Sequence, residues 1–368
     1  MAGIYFHIPF CKQRCSYCDF FSSVEIHRKE KYVDALCEEL SDRKDYLREP
    51  VETVYFGGGT PTLLSSADFE KIFQTLHYIY GEDKTREITL EANPDDLTSD
   101  YLESVRRLPF NRFSVGIQSF NNRELQLLNR RHDSQTAIGA VKRLQRAGYD
   151  NISIDLMYGL PEQNRLIWEK NLRQAIDLQV QHISAYHLSY EEGTPLYGRL
   201  KEGSVVPVDE EESCQLFEIL INTLTSSGFE HYEISNFARA GYQARHNSAY
   251  WNGTHYLGIG ASAHSYNGIS RQWNKKTFTP DYRTSGVEIE TIDAKTAYND
   301  FIITRLRTMK GIDLNELTAL FGESRKAYCL QQSKKSIANA SLLYENNRLR
   351  LTRKGIFISD SIFCDLIE

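Results

Sequence analysis

The chain has no excess of positive charge. Lys and Arg total 43 against 49 Asp and Glu, a formal net charge of −6 over 368 residues. That balance gives no general attraction to nucleic acid. Basic pairs such as Arg130-Arg131 and Lys334-Lys335 are brief, and Lys334-Lys335 reads as a solvated face. No stretch approaches the ~18 consecutive apolar residues of a membrane-spanning helix. The opening Met1-Ala2-Gly3-Ile4-Tyr5 has neither a basic n-region nor an apolar h-region, so it does not read as a signal peptide. Internal repeats and low-complexity linkers are absent. The expected location is a reducing cytoplasm, with peripheral membrane contact left open. A hydrophobic fraction of 41% and a charged fraction of 25% are ordinary for a globular protein. The length suggests one large domain plus a smaller one.

Cysteine is scarce, but three of seven crowd one short segment: Cys11-Lys12-Gln13-Arg14-Cys15-Ser16-Tyr17-Cys18. An odd set of thiols with no sign of secretion argues against disulfides. A structural zinc would need a fourth ligand, for which His7 is available. A cubic iron–sulfur cluster normally takes four thiolates. Three would hold three irons and leave one open to a small ligand, and this reading is preferred. The spacing resembles the signature loop of the radical S-adenosylmethionine (SAM) enzymes. Cys37, Cys214, Cys329 and Cys364 stand singly and read as buried thiols.

Strands and helices alternate through the first half. Ile4 to His7, Thr53 to Phe56, Ile88 to Leu90, Phe113 to Ile117, Ile152 to Asp155 and Ile183 to Tyr186 read as strands. Val33, Leu36, Cys37 and Leu40 form a helical stripe, Ser66 and Thr98 open helices, and further helices pass through Ala137 to Leu144 and Trp168 to Leu178. Alternating βα units imply a parallel sheet, whose sites form at the C-terminal strand ends. The cysteine loop, Gly57 to Thr60, Glu91, Gln118 and Asp155 each follow or end a strand, so one site is expected there. Beyond Glu192 the pattern changes. Cys214 to Leu224 reads as a helix and Phe229 to Ile234 as a strand. Tyr298 to Met309, Leu314 to Phe321, Ser324 to Ala340 and Ile356 to Leu366 read as helices. A hairpin turning at Glu345-Asn346-Asn347 completes a winged-helix-like module.

The glycines of Gly57-Gly58-Gly59-Thr60-Pro61 let a ligand approach the backbone. Together with Tyr5-x-His7-x-Pro9-Phe10-Cys11, Glu91-x-Asn93-Pro94, Gly116-x-Gln118-Ser119-Phe120 and Ile154-Asp155-Leu156-x-Tyr158-Gly159-Leu160-Pro161, this run resembles the oxygen-independent coproporphyrinogen III oxidase family of radical SAM proteins. The resemblance covers roughly residues 4–270. It implies a partial (β/α)6 barrel holding a [4Fe-4S] cluster on Cys11, Cys15 and Cys18. It also implies SAM among Tyr5, Gly58, Gly59, Thr60, Glu91, Gln118, Arg130 and Asp155. Glu91 and Asp155 can accept bonds from ribose hydroxyls or ammonium, and Arg130 can pair with a carboxylate.

Two departures matter. The decarboxylating members carry a fourth cysteine two residues after the third, where this chain has Phe20, and a long extension before the cluster, where this chain has ten residues. Both features look like the HemW branch, whose members are regarded as heme chaperones. His246-Asn247-Ser248-Ala249-Tyr250-Trp251 resembles its His-Asn-x-x-Tyr-Trp signature. The resemblance makes His246 the expected heme ligand with Tyr250 and Trp251 as stacking wall, while His187, His231, His255 and His264 compete for the iron. The partners it implies are heme, acceptor hemoproteins and an electron donor for the cluster. SAM-dependent decarboxylation of coproporphyrinogen III, or radical chemistry on another substrate, is the alternative. Gly258-Ile259-Gly260-Ala261-Ser262-Ala263 fits a dinucleotide fingerprint but lacks its βαβ context, and reads as a tight turn. The expected division is residues 1–235 as barrel, 236–290 as a connecting region with the heme motif, and 291–368 as the C-terminal module.

Overall fold

The computed structural model describes residues 1–81, 84–277 and 280–368. Strand β1 (Ala2–Ile8) leads through the cysteine loop to helix α1 (Lys29–Asp42) and then β2 (Val51–Gly58). The alternation continues with α2 (Ser66–Tyr80), β3 (Glu87–Ala92), α3 (Ser99–Val105) and β4 (Arg112–Gln118). Next come α4 (Asn122–Leu127), α5 (Ser134–Arg146), β5 (Ile152–Tyr158), α6 (Arg165–Asp177) and β6 (His182–His187). Strands β1 to β6 pair in consecutive order and all in parallel.

The outer face of these strands is apolar throughout. Ile4, Phe6 and Ile8 alternate with Tyr5 and His7. Val54, Phe56, Ile88, Leu90, Phe113, Val115, Ile152, Ile154 and Ile183 continue the pattern, packed in one core with helix residues such as Leu36, Phe69, Val141 and Trp168. The other face carries Thr53, Tyr55, Glu87, Glu91, Arg112, Ser114, Ser153, Asp155 and His182. They touch one another across the strands: Tyr55 with Glu91, Ser114 with Asp155, Ser153 with His182. The sheet therefore curls around a polar interior. The helix caps agree with local chemistry. The first residue to cap α2 is Ser65, one before the expected Ser66, and it forms a capping box with Asp68; Thr98 caps α3 as expected.

Helices α7 (Pro195–Lys201) and α8 (Glu210–Ser226) precede β7 (Glu230–Glu233) and β8 (Asn236–Ala238), which close one edge. Then α9 (Arg245–Trp251) leads to β9 (His255–Ile259), which lies parallel to β1 on its other side. Strands β10 (His264–Tyr266), β11 (Ser270–Asn274) and β12 (Val287–Thr291) extend that edge antiparallel. The result is a twelve-stranded sheet in the order β12-β11-β10-β9-β1-β2-β3-β4-β5-β6-β8-β7. It is an open barrel, not a closed one. Strands β8 to β12 were not expected from the sequence: each has five residues or fewer, so an alternating pattern has no length in which to show.

The C-terminal part has α10 (Ala294–Leu306), β13 (Ile312–Asp313), α11 (Leu314–Ala338), β14 (Leu342–Glu345), β15 (Arg348–Leu351), α12 (Arg353–Ile356) and α13 (Ser359–Leu366). Gly322, at φ +83°, breaks α11 where the sequence separates two helices. Asn346 and Asn347 both take positive φ, which makes the tight turn of the β14–β15 hairpin. The expected last helix, Ile356 to Leu366, starts later, as α13, and Ile356 instead ends the short α12. Cys37 and Cys329 are buried, but Cys214 and Cys364 are exposed, because they lie on the solvent sides of α8 and α13.

Phe56 stacks on Phe6 at 4.8 Å and meets Phe69, Phe73 and Phe110 edge-on. Phe56→Ala is expected to cost about 3–5 kcal/mol, read as a lower denaturation midpoint at unchanged denaturant slope.

Candidate functional site

The site is built at the C-terminal ends of β1 to β6. Strand β2 ends in Gly57-Gly58-Gly59. Gly58 has φ +107°, and a Cβ there would lie 2.6 Å from the His7 ring. A Cβ on Gly59 would lie 2.7 Å from the Phe10 carbonyl and 3.0 Å from Cys11 Sγ. Glycine is required because the cysteine loop packs directly on this backbone. The loop is pinned on several sides. The Cys11 amide donates to Ser23 O at 2.8 Å, the Ser16 amide to Leu128 O at 3.0 Å, and the Leu196 amide to Ser16 O at 2.8 Å. Lys12 pairs with buried Asp96 at 2.7 Å, and Arg131 pairs with Asp95 and Asp96.

Cys11, Cys15 and Cys18 line one cavity of about 420 Å3 together with Gly58, Gly59, Thr60, Glu91, Gln118, Arg130 and Asp155. A volume of this size suits a small-molecule ligand. A hydrogen-bonded chain joins Cys11, Thr60, Arg130 and Cys15 through Asn93. Thr60 Oγ1 donates to Cys11 Sγ at 3.7 Å. Asn93 Nδ2 donates to Thr60 Oγ1 at 3.0 Å. Arg130 donates through Nη2 to Asn93 Oδ1 at 2.7 Å and through Nη1 to Cys15 Sγ at 3.3 Å. A guanidinium on one sulfur and a hydroxyl on another stabilise negative charge on those thiols. Burial pushes the Cys18 thiol up to about 11, and that of Cys11 upward too. The bare loop therefore favours neutral thiols at those two positions and would need compensating positive charge to hold thiolates.

Glu91 accepts from Tyr55 OH at 2.6 Å and from the Gly58 amide at 3.1 Å. Burial, opposed by the Tyr55 hydrogen bond and reinforced by the Asp155 charge, raises its pKa to about 7. Asp155, bonded to Ser114 at 3.3 Å, is raised by burial to about 6 despite the Arg112 charge. Gln118 reaches the cavity because its φ of +68° and a register slip after Gly116 turn it inward. Tyr5 does not line the cavity. It lies beneath, its hydroxyl 3.1 Å from His7 Nδ1 and its ring stacked on Tyr55 at 6.0 Å.

Residues His246, Tyr250 and Trp251 lie elsewhere, at the opposite end of the barrel. Glu87, at the start of β3, accepts from the Arg245 and His246 amides at 2.9 and 2.8 Å, which caps α9 from outside the helix. His246 is 2% exposed. Its Nδ1 is 2.9 Å from Thr53 Oγ1, its Nε2 is 2.9 Å from Tyr250 OH, and its ring stacks on Tyr55 at 5.1 Å. Both ring nitrogens are occupied, so a bond from His246 to iron would have to displace Thr53 or Tyr250. Burial, then the Arg112 charge, lowers its pKa to about 3. Trp251 is covered by the Arg307 guanidinium at 5.2 Å. The segment forms the floor of the barrel.

Sequence reasoning missed Asn93, Tyr55 and Arg112. Asn93 was legible within Glu91-x-Asn93-Pro94, but its bridging role was not. Tyr55 and Arg112 carry no motif, and only the inward turn of their strand positions reveals them.

Comparison with known proteins gives a consistent set of likenesses. The radical SAM superfamily model matches residues 5–175, and the HemN C-terminal domain model matches residues 292–358. A protein of Lactococcus lactis named heme chaperone HemW is 31% identical over 98% of this chain and 95% of its own length. The protein of the same name from Bacillus subtilis is 34% identical over 74% of this chain and 73% of its own length. A bovine protein named radical S-adenosyl methionine domain-containing protein 1, mitochondrial, is 31% identical over all of this chain and 87% of its own length. The solved structure of coproporphyrinogen III oxidase (HemN) from Escherichia coli superposes with a TM-score of 0.85 at 22% identity, over all of this chain and 90% of that one. The likeness to that structure is one of fold.

His246→Ala is expected to lower stability by about 2–4 kcal/mol, because it opens a cavity and orphans Thr53 and Tyr250. A group with so depressed a pKa contributes stability above its unfolded value of 6.5, lost as pH falls below it. Acid titration of thermal stability should therefore fall less steeply below pH 6.5 in His246→Ala than in the wild type.

Proposed function

Because the chain belongs to the HemW family within the radical SAM superfamily, we propose that it binds heme and passes it to acceptor hemoproteins, and that it carries a [4Fe-4S] cluster and SAM in the cavity of the cysteine loop. The single observation that carries the cofactor reading is the chain Cys11–Thr60–Asn93–Arg130–Cys15 around that cavity. The donor set fits a cluster better than a lone ion. His7, the one candidate for a fourth zinc ligand, has Nε2 on Phe21 O at 2.9 Å and Nδ1 against Tyr5. Among the described residues, no three His, Cys, Asp or Glu converge on a single-ion position. Thiolates at separate corners of a cubane need no such convergence.

A cluster held by Cys11, Cys15 and Cys18 would supply an open iron for the amino and carboxylate groups of SAM and would pass on an electron from an external donor. The chain's own residues then do the rest. Arg130 and Thr60 stabilise thiolate charge on Cys15 and Cys11. Gly58 and Gly59 leave backbone open to the methionyl end of SAM. Glu91 and Asp155 offer carboxylates to ammonium or ribose hydroxyls, while Gln118 offers an amide. Tyr5 and Tyr55 support Glu91 from below. Phe20 stands at the rim, 64% exposed, where the decarboxylating relatives have their fourth cysteine. That substitution favours heme handling over coproporphyrinogen turnover. No described helix is long and apolar enough to cross a membrane.

Anaerobic reconstitution is expected to give about four irons and four sulfides per chain. Any one of Cys11→Ser, Cys15→Ser or Cys18→Ser should abolish the four-iron form. A colourless protein with one tightly held zinc would overturn the cluster assignment. The reduced protein with SAM is expected to release no protoporphyrinogen from coproporphyrinogen; robust turnover would favour the enzyme reading instead.

SAM affinity should depend on pH through Glu91. The carboxylate, not the acid, accepts from an ammonium, so affinity should rise about tenfold between pH 6 and 8, as Glu91 ionises near 7. In Glu91→Gln this rise should largely vanish and affinity at pH 8 should fall roughly tenfold or more, measured by calorimetry on the cluster-loaded protein. Stability of the ligand-free protein has the opposite sign. Its share from the raised Glu91 is present below about pH 4.5 and is lost as pH rises through about 7.

A further inference from the structure

The geometry points to a heme seat on the inner face of β9 to β11, with His264 as the iron ligand, Trp273 stacked on its imidazole and Lys276 as a propionate partner. This rests on the proposal that the protein binds heme, and adds where it does so.

Three observations converge. First, His264 is exposed and packs on an aromatic ring. Its ring stacks on the Trp273 indole at 5.8 Å and 22°, across the β10–β11 pairing. Among the described residues neither of its ring nitrogens has a hydrogen-bond partner. Each of the competing histidines has at least one ring nitrogen in a hydrogen bond or ion pair. His246 is buried with both nitrogens bonded. His187 Nε2 is 3.1 Å from Ser213 Oγ. His231 is bonded to Ile234 O and stacked on Phe237 at 4.3 Å. His255 Nδ1 is held by Glu49 at 2.9 Å.

Second, tyrosine rings line the strand row next to that of His264. Tyr266 pairs with Tyr256, which sets His264 opposite Gly258, and Gly258 in turn pairs with Tyr5 of β1. The row across the sheet reads Trp273, His264, Gly258, Tyr5, Tyr55. Gly258 is the one member with no side chain, and the His264 backbone fills the place where one would stand. A Cβ at Gly258 would lie 2.1 Å from the His264 carbonyl oxygen, so the strand crossing itself demands glycine. Tyr256 and Tyr266, with ring centroids 6.1 Å apart, and Tyr250, edge-on to Tyr256 at 4.7 Å, line the neighbouring row. In this arrangement Tyr250 of the His-Asn-x-x-Tyr-Trp segment contributes a ring to the seat's surroundings while His246 stays in the floor.

Third, the local charge suits a porphyrin dicarboxylate. Burial, then Lys276 and Arg271, holds the His264 pKa below the usual imidazole value, so the ring is neutral and able to bind iron at neutral pH. Arg271 is already paired with Glu290 and Asp300, whereas Lys276 is exposed and, among the described residues, has no acidic partner.

The test uses the full-length, cluster-loaded protein and hemin, added anaerobically and followed by the Soret band. Wild type is expected to take up about one equivalent. His264→Ala should bind at least tenfold more weakly, or with a shifted Soret band, while its cluster absorption and SAM affinity stay unchanged. Added imidazole should return its spectrum toward that of the wild type, which a merely structural role for His264 would not allow. Trp273→Ala and Lys276→Glu should weaken binding without changing the axial-ligand signature. If wild type binds hemin and His264→Ala does so with the same affinity and spectrum, the seat lies elsewhere and this inference is overturned while heme binding stands. If His246→Ala loses the ligand signature and His264→Ala keeps it, iron belongs to the barrel floor. If wild type binds no hemin at stoichiometric levels, the chaperone reading fails and the seat fails with it.

Discussion

Seven parallel strands, β9 and β1 to β6, work under one constraint. Their outer face is covered by helices and must be apolar, so every group with chemistry to perform has to come from the inner face or the strand ends. Alternation along each strand enforces the division residue by residue. Ile4, Phe6 and Ile8 go out to α1 and α2, while Tyr5 and His7 go in. The same parity places Glu91, Asp155 and Arg112 in the interior, where the low dielectric raises both carboxyl pKa values and holds the buried histidines neutral.

The interior then divides by depth. At the C-terminal end the cysteine loop closes over Gly58 and Gly59, and the side chains of Thr60, Asn93 and Arg130 link two sulfurs. At the N-terminal end α9 is drawn in by the Glu87 carboxylate and His246 seals the floor. Stacked rings of Tyr5, Tyr55 and His246 run between the two ends, so the orientation of Glu91 depends on packing that begins at the floor. A short antiparallel extension, β10 to β12, widens the inner face beyond β9 and carries the exposed His264–Trp273 pair.

The parts legible in the chain are those with local causes. The cysteine loop shows because three thiols fall within eight residues. The six parallel strands show because each is long enough for a pattern and ends in a polar or glycine signal. Gly322 and the Asn346-Asn347 turn show because backbone conformation at positive φ selects residue type directly. Strands β8 to β12 did not show, since three to five residues carry too little pattern, and their pairing is imposed by β1, β6 and each other. The exposed Cys214 and Cys364 were misplaced for a related reason: a lone thiol has no neighbours in sequence that state which side of a helix it faces.

What the sequence by itself determined is therefore the ligand loop, the alternation that makes an α/β barrel, and the strand ends at which the cavity forms. Tertiary structure alone decided how the interior is used. His246 and His264 are both histidines near aromatic residues in the chain, and nothing in their local sequence separates a buried floor residue from an exposed one. Thr53, Tyr55 and Glu87, more than 150 residues earlier, bury the first; the register of β9 against β1 and β10 leaves the second standing beside a glycine. Burial and free valence are properties of the partners a side chain meets, and those partners are chosen only when the sheet assembles.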